Sequence, residues 1–399
     1  MNDAVARVDT ARLMRASAMR ADIPSFIVMD VMRAAAAKEA TGVKVIHMEV
    51  GQPATSAPRT ARAAVAAALD RDTLGYTLAL GLPQLRQRIA GLYKTWYGID
   101  ISPDRIVVTN GSSAAFVLTF LALFDVGQTV ALPNPGYPCY RHILTALGVE
   151  PVLLETGPET RWMPTVSGLE TAAKQSELAG LLIASPANPT GTMIEPERLA
   201  ALVDVCRARK LWFISDEIYH GLTYAMPAQT ALQVSQDVVV INSFSKFFSM
   251  TGWRVGWMVV PEGLVRTVER LAQNLYISPP AVAQVAAIGA FDGQDELEAN
   301  IGVYRANRDL LLKALPEAGL AKIVPADGAF YLYVDVGDIT QDSLAFCRQM
   351  LDETGIAATP GVDFDPSRGH RFVRFSYAGA TADMADAAER LKTWPRLKR

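Results

Sequence analysis

Residues 242–257 read Asn242-Ser243-Phe244-Ser245-Lys246-Phe247-Phe248-Ser249-Met250-Thr251-Gly252-Trp253-Arg254-Val255-Gly256-Trp257, directly after the strand-forming run Val238-Val239-Val240-Ile241. Lys246 stands among the hydroxyls of Ser243, Ser245 and Ser249, and Arg254 follows eight positions later between Gly252 and Gly256. A lysine amine forms a Schiff base with a carbonyl compound. Serine hydroxyls and a guanidinium fork suit a phosphate, and glycines let the backbone come close to a ligand. Together these residues describe a lysine bonded to a phosphorylated aldehyde. Taken singly, Lys246 would read as a surface lysine and Arg254 as a structural arginine. The whole pattern carries the argument.

Upstream of this stretch the chain alternates strand, turn and helix. Ile106–Val108, Thr129–Leu132, Leu181–Ile183 and Leu211–Ile214 read as strands. They are continuous apolar runs, the mark of strands buried on both faces of a parallel-rich sheet. Helices are expected over Ala114–Phe124, after Asn134-Pro135-Gly136-Tyr137 through Leu147, and from Pro196 onward. The fold class is α/β. Ahead of this core come an expected helix ending near Ala40, a short strand over Val45–Val50, a helix over Arg59–Asp70 and another reaching Tyr97. Past Ala290 the pattern changes to helices over Leu297–Ala314, Leu344–Thr354 and Ala382–Leu391, with strands at Ala329–Val334 and Arg371–Phe375. Thr381 stands where an N-cap of the last helix is expected.

In open α/β sheets ligands bind outside the carboxyl ends of the strands. Gly111-Ser112-Ser113, Asn188, Asp216 and Ser243–Lys246 each follow such an end, so they are expected to converge on one crevice. Residues Gly111, Ser112 and Ser113 form a turn ahead of a helix. That is either an ordinary cap or a phosphate site. Asn188 is either a turn residue before Pro189 or a ligand contact. Asn134-Pro135 and Asn188-Pro189 are candidates for cis peptide bonds. On an alternating strand Arg371 and Arg374 point to opposite faces, so at most one faces the crevice.

The totals exclude several classes. The chain has 399 residues, half of them hydrophobic and a fifth charged, which suits a soluble enzyme of more than one domain. A net charge of −3 gives no footprint for nucleic acid or an anionic membrane. No apolar run approaches the roughly 18 residues needed to cross a bilayer. The three cysteines, Cys139, Cys206 and Cys347, form no metal spacing and suit a reducing, cytoplasmic setting. The four histidines show no ligand spacing either. Arg7, Arg12, Arg15 and Arg20 among alanines read as a frayed arm or short helix rather than a transit peptide, because Asp3 and Asp9 interrupt them.

The Ser243-x-Ser245-Lys246 opening and Gly252-x-Arg254-x-Gly256 close resemble the lysine signature of class I and II aminotransferases, of fold type I. The resemblance runs from about Gly51 to Ser376. It implies pyridoxal 5'-phosphate (PLP) held by Lys246, with its phosphate at Gly111, Ser112, Ser113, Ser243, Ser245 and Arg254. It implies Asp216 on the ring nitrogen, Tyr219 and Asn188 on the ring's phenolic oxygen, and Tyr137 stacked on the ring. Arg374 and the Gly51 backbone would take the substrate α-carboxylate, and Tyr76 would reach the phosphate of a neighbouring subunit in a homodimer. The implied layout is a large domain over residues 51–290 and a smaller one from residues 1–50 and 291–399.

The expected activity is transfer of an amino group from an L-amino acid to a 2-oxo acid, with Lys246 as the base. Dicarboxylate-specific relatives add a cation, yet Gln273–Ser278 and Ser113 stand where theirs are expected. A neutral, hydrophobic or aromatic substrate is therefore favoured, with Ile23 and Phe26 in the side-chain pocket, unless Arg20 or Arg141 supplies the charge. The alternatives are a PLP-dependent C–S β-lyase, a cyclase acting on S-adenosylmethionine, and a non-catalytic PLP-sensing regulator. The last needs a DNA-binding module, and no helix-turn-helix pattern precedes Gly51.

Overall fold

A computed structural model describes residues 17–398. Arg7, Arg12 and Arg15 lie outside them, and Arg20 falls in a single 3-10 turn, Met19–Ala21.

The chain opens with α1 (Ile27–Glu39), β1 (Ile46–His47), α2 (Arg59–Leu69) and α3 (Pro83–Tyr97). Pro83 starts α3 and Gly98, at φ +70°, ends it, the expected asymmetry of helix termini. The central region runs β2 (Ile106–Thr109), α4 (Gly111–Leu123), β3 (Thr129–Asn134), α5 (Pro138–Ala146), β4 (Glu150–Glu155), α6 (Val166–Gln175), β5 (Leu178–Ala184), α7 (Pro196–Arg209) and β6 (Trp212–Asp216). It continues through β7 (Val239–Ser243), β8 (Gly256–Val259), α8 (Val265–Leu275) and α9 (Ala281–Ala290). The remainder is α10 (Gln294–Glu317), β9 (Tyr331–Asp335), α11 (Ser343–Thr354), β10 (Ile356–Ala357), β11 (Thr359–Pro360), β12 (Phe372–Ser376) and α12 (Thr381–Thr393).

A seven-stranded sheet in the order β2-β8-β7-β6-β5-β3-β4 forms the centre. Strands β7, β6, β5, β3 and β4 pair in parallel, and β8 is antiparallel to both β7 and β2. Every residue of β2, β7 and β8 is buried, as their unbroken apolar runs require. A three-stranded antiparallel sheet, β11-β12-β9, follows in the C-terminal part. Strand β1 pairs with β10, so the N-terminal segment joins that part.

Several expectations need correction. The turn expected at Gly111–Ser113 is the first turn of α4. The strand expected over Val45–Val50 is only Ile46–His47, because beyond Met48 the backbone turns to meet side chains of β11 and β12. Thr381 is the first residue of α12; the cap position is Ala380, which offers no side-chain bond. Both Asn134-Pro135 and Asn188-Pro189 are cis, as is Ser185-Pro186.

Candidate active site

The parallel strands bring their carboxyl ends to one rim, and the chemistry-bearing residues follow it. Asp216 ends β6, Ser243 ends β7, and Gly111 comes two positions after the end of β2. Strand β8 runs the other way, so it starts at this rim and brings Arg254 in ahead of Gly256. A cavity of about 510 Å³ opens here. Ser112, Ser113, Tyr137 and Asn188 line it, with Asp216 and Tyr219 beyond them. Ser245, Lys246 and Arg254 enter from the β7–β8 connection, and Gly51 and Arg374 close it. Three residues predicted for the cofactor are not in the lining: Gly111, Ser243 and Tyr76.

Gly111 acts from behind. Its φ is +73°, and a Cβ there would lie 2.5 Å from Arg254 Nη2. Only glycine lets the guanidinium sit against the start of α4. Gly256 is its counterpart, since a Cβ there would lie 3.0 Å from Ser112 N. Asn110 precedes α4 without any side-chain cap bond, so the first-turn N–H groups face the cavity end uncapped. Ser243 braces the cradle: its Oγ is 2.9 Å from Ser245 Oγ and 3.1 Å from the Val255 carbonyl oxygen. Helix dipole, serines and guanidinium together fit a phosphate dianion.

Asp216 is buried. Its Oδ2 accepts from the Tyr140 hydroxyl, and its Oδ1 accepts from Ile218 N at 3.0 Å. Burial pushes the carboxyl up to about 6, against the Tyr140 hydroxyl, the Ile218 amide and the Lys246 charge. Such a carboxylate suits a cationic ring nitrogen. Lys246 Nζ donates to the Gly51 carbonyl oxygen and lies 5.7 Å from the centroids of both the Tyr219 and Phe330 rings. Burial brings its ammonium down to about 7, with Arg374 and Arg254 pushing the same way and Asp216 opposing. Near neutrality Lys246 is thus a free amine for a large part of the time, fit to be a nucleophile or a base.

Arg374 is fully buried between two rings, 4.4 Å from the Tyr331 centroid and 4.6 Å from that of Phe364. Its Nη1 donates to Asn188 Oδ1 at 2.7 Å, and its Nη2 donates to the Glu49 carbonyl oxygen and to Thr359 Oγ1 at 3.2 Å. Its Nε, although buried, has no partner among the described residues. A planar cation held this way, with a donor unspent, suits a carboxylate. Arg371, expected on the same strand, instead ends a 3-10 turn, Gly369–Arg371, just ahead of β12, and pairs with Asp335.

The opening toward α1 is apolar. Phe26, Val28, Met29 and Met32 line it, and Phe26 meets Tyr137 edge-on at 5.7 Å. Ile23, expected beside Phe26, is 39 % exposed and not in the lining. Arg141 turns away to the Asp363 carbonyl oxygen, and Arg20 is exposed; neither lines the cavity. Among the described residues the lining cations are Lys246, Arg254 and Arg374.

Sequence reasoning missed Tyr140, Tyr331 and the methionines of α1. Tyr137 and Tyr140 sit three apart at the start of α5, a spacing that puts both on one face. Tyr331 Oη is 2.7 Å from Tyr219 Oη, and a Cβ on Gly51 would lie 1.6 Å from it. Nothing local in the sequence announces that meeting.

Comparison with known proteins agrees with this geometry. The family Aminotransferase class I and II matches residues 43–391. A valine–pyruvate aminotransferase of Mycobacterium tuberculosis is 49 % identical over 94 % of this chain and 98 % of its own. The crystal structure of a putative aminotransferase from Silicibacter pomeroyi superposes with a TM-score of 0.90 at 52 % identity, covering 96 % of this chain and all of that one. The aspartate aminotransferase of Thermus thermophilus with maleate gives 0.88 at 30 % identity, over 94 % of this chain and 99 % of that one. With the family matching most of the chain and the lysine, carboxylate and phosphate cradle meeting in one cavity, this protein belongs to the class I and II aminotransferases, enzymes that use pyridoxal 5'-phosphate.

Proposed function

We propose that the enzyme moves the amino group of a neutral, hydrophobic L-amino acid to a 2-oxo acid. The observation that carries this is the placing of the Lys246 amine, of lowered pKa, in the same cavity as Asp216 and Arg374, beside an apolar wall. The valine–pyruvate activity named for the Mycobacterium tuberculosis relative supports the substrate class.

Bound here, pyridoxal phosphate supplies an electron sink for the substrate α-carbon. The start of α4, Ser112, Ser113, Ser245 and Arg254 would hold its phosphate; Ser243 and Gly111 keep the cradle in shape. Asp216 would pair with the ring nitrogen, and Tyr219 and Asn188 would stand at the phenolic oxygen; all three line the cavity. Arg374 orients the substrate carboxylate, and Lys246 takes and returns the α-proton. The side chain of the substrate would lie against Phe26, Val28, Met29 and Met32, where no lining cation among the described residues would meet a second carboxylate. Burying an unpaired carboxylate there is costly.

The working form is a homodimer. Tyr76 is 85 % exposed, and the Thr77 amide bonds to Ser278 Oγ, which places exposed Leu78, Leu275 and Ile277 close by. An apolar surface of this kind marks an interface, and Tyr76 would reach across it to the partner's phosphate. The large domain spans residues 51–290, and residues 1–50 with 291–399 form the small one, a division supported by the β1–β10 pairing. The unpaired cysteines suit the cytoplasm; among the described residues no helix is long and apolar enough to cross a membrane.

The test is a donor panel with a 2-oxo acid present and absent. Neutral aliphatic donors should turn over only with the oxo acid, and aspartate should be at least about tenfold poorer in kcat/KM. Release of pyruvate and ammonia from a sulfur amino acid without oxo acid would indicate the β-lyase instead.

A further inference from the structure

His47 lies outside the cavity, on β1, yet it is tied to the cavity's carboxylate arginine through one residue. Its Nδ1 is 2.8 Å from Glu49 Oε1, and its Nε2 is 3.1 Å from Glu39 Oε1 at the end of α1. A neutral imidazole offers one donor and one acceptor; two carboxylate partners need both nitrogens protonated. Glu49 is wholly buried, and its Oε2 has no partner among the described residues. Among the described residues, the cation in ion-pair contact with that carboxylate is His47. The main chain of the same Glu49 is what grips the arginine. Its carbonyl oxygen accepts from Arg374 Nη2 and, at 2.8 Å, from Thr359 Oγ1. Two residues on, the Gly51 carbonyl oxygen accepts from Lys246.

We propose that His47 is a positioning residue for substrate binding: as an imidazolium bridging Glu39 and Glu49, it staples α1, which carries much of the apolar wall, to the segment after β1 whose Glu49 carbonyl fixes Arg374. This rests on the reading of Arg374 as the α-carboxylate site. Removing the cation leaves the Glu49 carboxylate buried and uncompensated, and the backbone around Glu49 must shift to hydrate it.

The neighbouring groups favour the charged form. The Glu49 contact leads in raising the His47 pKa to about 9, with Glu39 adding and burial opposing. Helix α1 also brings Lys38, which is turned to the Asp352 carbonyl oxygen of α11. Helix α12 brings Asp383, Asp386 and Arg390, engaged with Lys44 and with one another, and β12 brings Arg374. Strand β10, Ile356–Ala357, has no ionisable side chain. A raised pKa means the bridge is intact below about 9 and is lost as pH rises through that value.

The experiment uses the holoenzyme with a 2-oxo acid, whose carboxylate does not titrate in this range. His47→Gln should raise KM about tenfold while kcat changes less, the scale of one lost charge-assisted bond. The double variant His47→Gln/Glu49→Gln should recover much of that KM, since it removes the orphaned charge; a purely structural role predicts losses that multiply. In the unaltered enzyme KM should rise above pH 9, and in the double variant that rise should vanish. Should His47→Gln fold poorly, Glu39→Gln, at a 45 % exposed side chain, should move the alkaline rise to lower pH. An unchanged KM in His47→Gln, or multiplying losses, overturns the proposal. Arg374→Lys separates the two readings: if it raises KM and His47→Gln does not, only the bridge is wrong; if it leaves KM unchanged, the carboxylate reading itself fails.

Discussion

The Tyr140 hydroxyl donates a hydrogen bond to Asp216 Oδ2, inside a shell where Asp216 is 3 % exposed. The pair joins the first turn of α5 to the end of β6. Tyr140→Phe removes a donor that favours the ionised carboxylate, so the Asp216 pKa rises further above 6. Its hold on the cofactor nitrogen should weaken. A fall in kcat/KM of about tenfold is expected from a lost bond to a charged group. The acid limb of the pH profile should move upward. An unmoved limb would mean that Tyr140 is only packing.

Gly111→Ala should damage the phosphate cradle without unfolding the chain. The left-handed backbone costs a non-glycine residue about 1–2 kcal/mol, and the new methyl meets Arg254 Nη2 at 2.5 Å. Equilibrium dialysis should show PLP affinity at least about tenfold weaker, that strain expressed as a binding constant. Gly302→Ala, in α10 with open space around it, is the matched control and should leave affinity alone. Equal losses in both would remove the steric argument.

The pKa of Lys246, brought to about 7 first by burial and then by Arg374 and Arg254, sets how fast the apoenzyme captures PLP. The neutral amine is the reactive form, so the rate should climb from pH 6 to 8 and then level off. Stopped-flow absorbance measures it. A rate still climbing toward pH 10 would indicate an ordinary lysine.

Glu217 gives a stability prediction. It is fully buried, its Oε1 accepts from Thr230 Oγ1 at 3.0 Å and Ala231 N at 2.8 Å, and burial pushes its carboxyl up to about 8. A raised folded-state pKa gives stability that is fully present below the unfolded value and lost as pH rises through about 8. Burial lowers nearby His220 to about 3, which has the opposite sign and costs stability as pH falls below its unfolded value near 6.5. Above pH 7 the His220 contribution is spent; His47, raised to about 9, adds a decline of the same sign as Glu217, and Lys246, lowered to about 7, opposes it, so the comparison with the unaltered enzyme isolates Glu217. Glu217→Gln should therefore flatten the decline between pH 7 and 9 in urea titrations. An equally steep decline would place its origin elsewhere.

What the sequence made legible was whatever local chemistry dictates. Lys246, Asp216 and Asn188 follow strands, so the rim they share could be read before any coordinates. Strand β8 could not, because Gly256–Val259 reads as the tail of the lysine motif. Strand β4 hid behind Pro151, which an edge strand tolerates. The start of α4 looked like a turn because Gly111 and the serines are turn formers; the sheet imposes the helix. The meetings of Tyr140 with Asp216 and of His47 with Glu39 depend on side chains from separate elements, which no local pattern encodes.

Borohydride reduction of the holoenzyme, followed by peptide mapping, tests the central claim most directly. Reduction fixes the cofactor to the lysine that holds it. The added pyridoxyl mass should appear on Lys246, in the peptide carrying Ser243 and Ser245. Modification of any other lysine, or of none, would contradict the account.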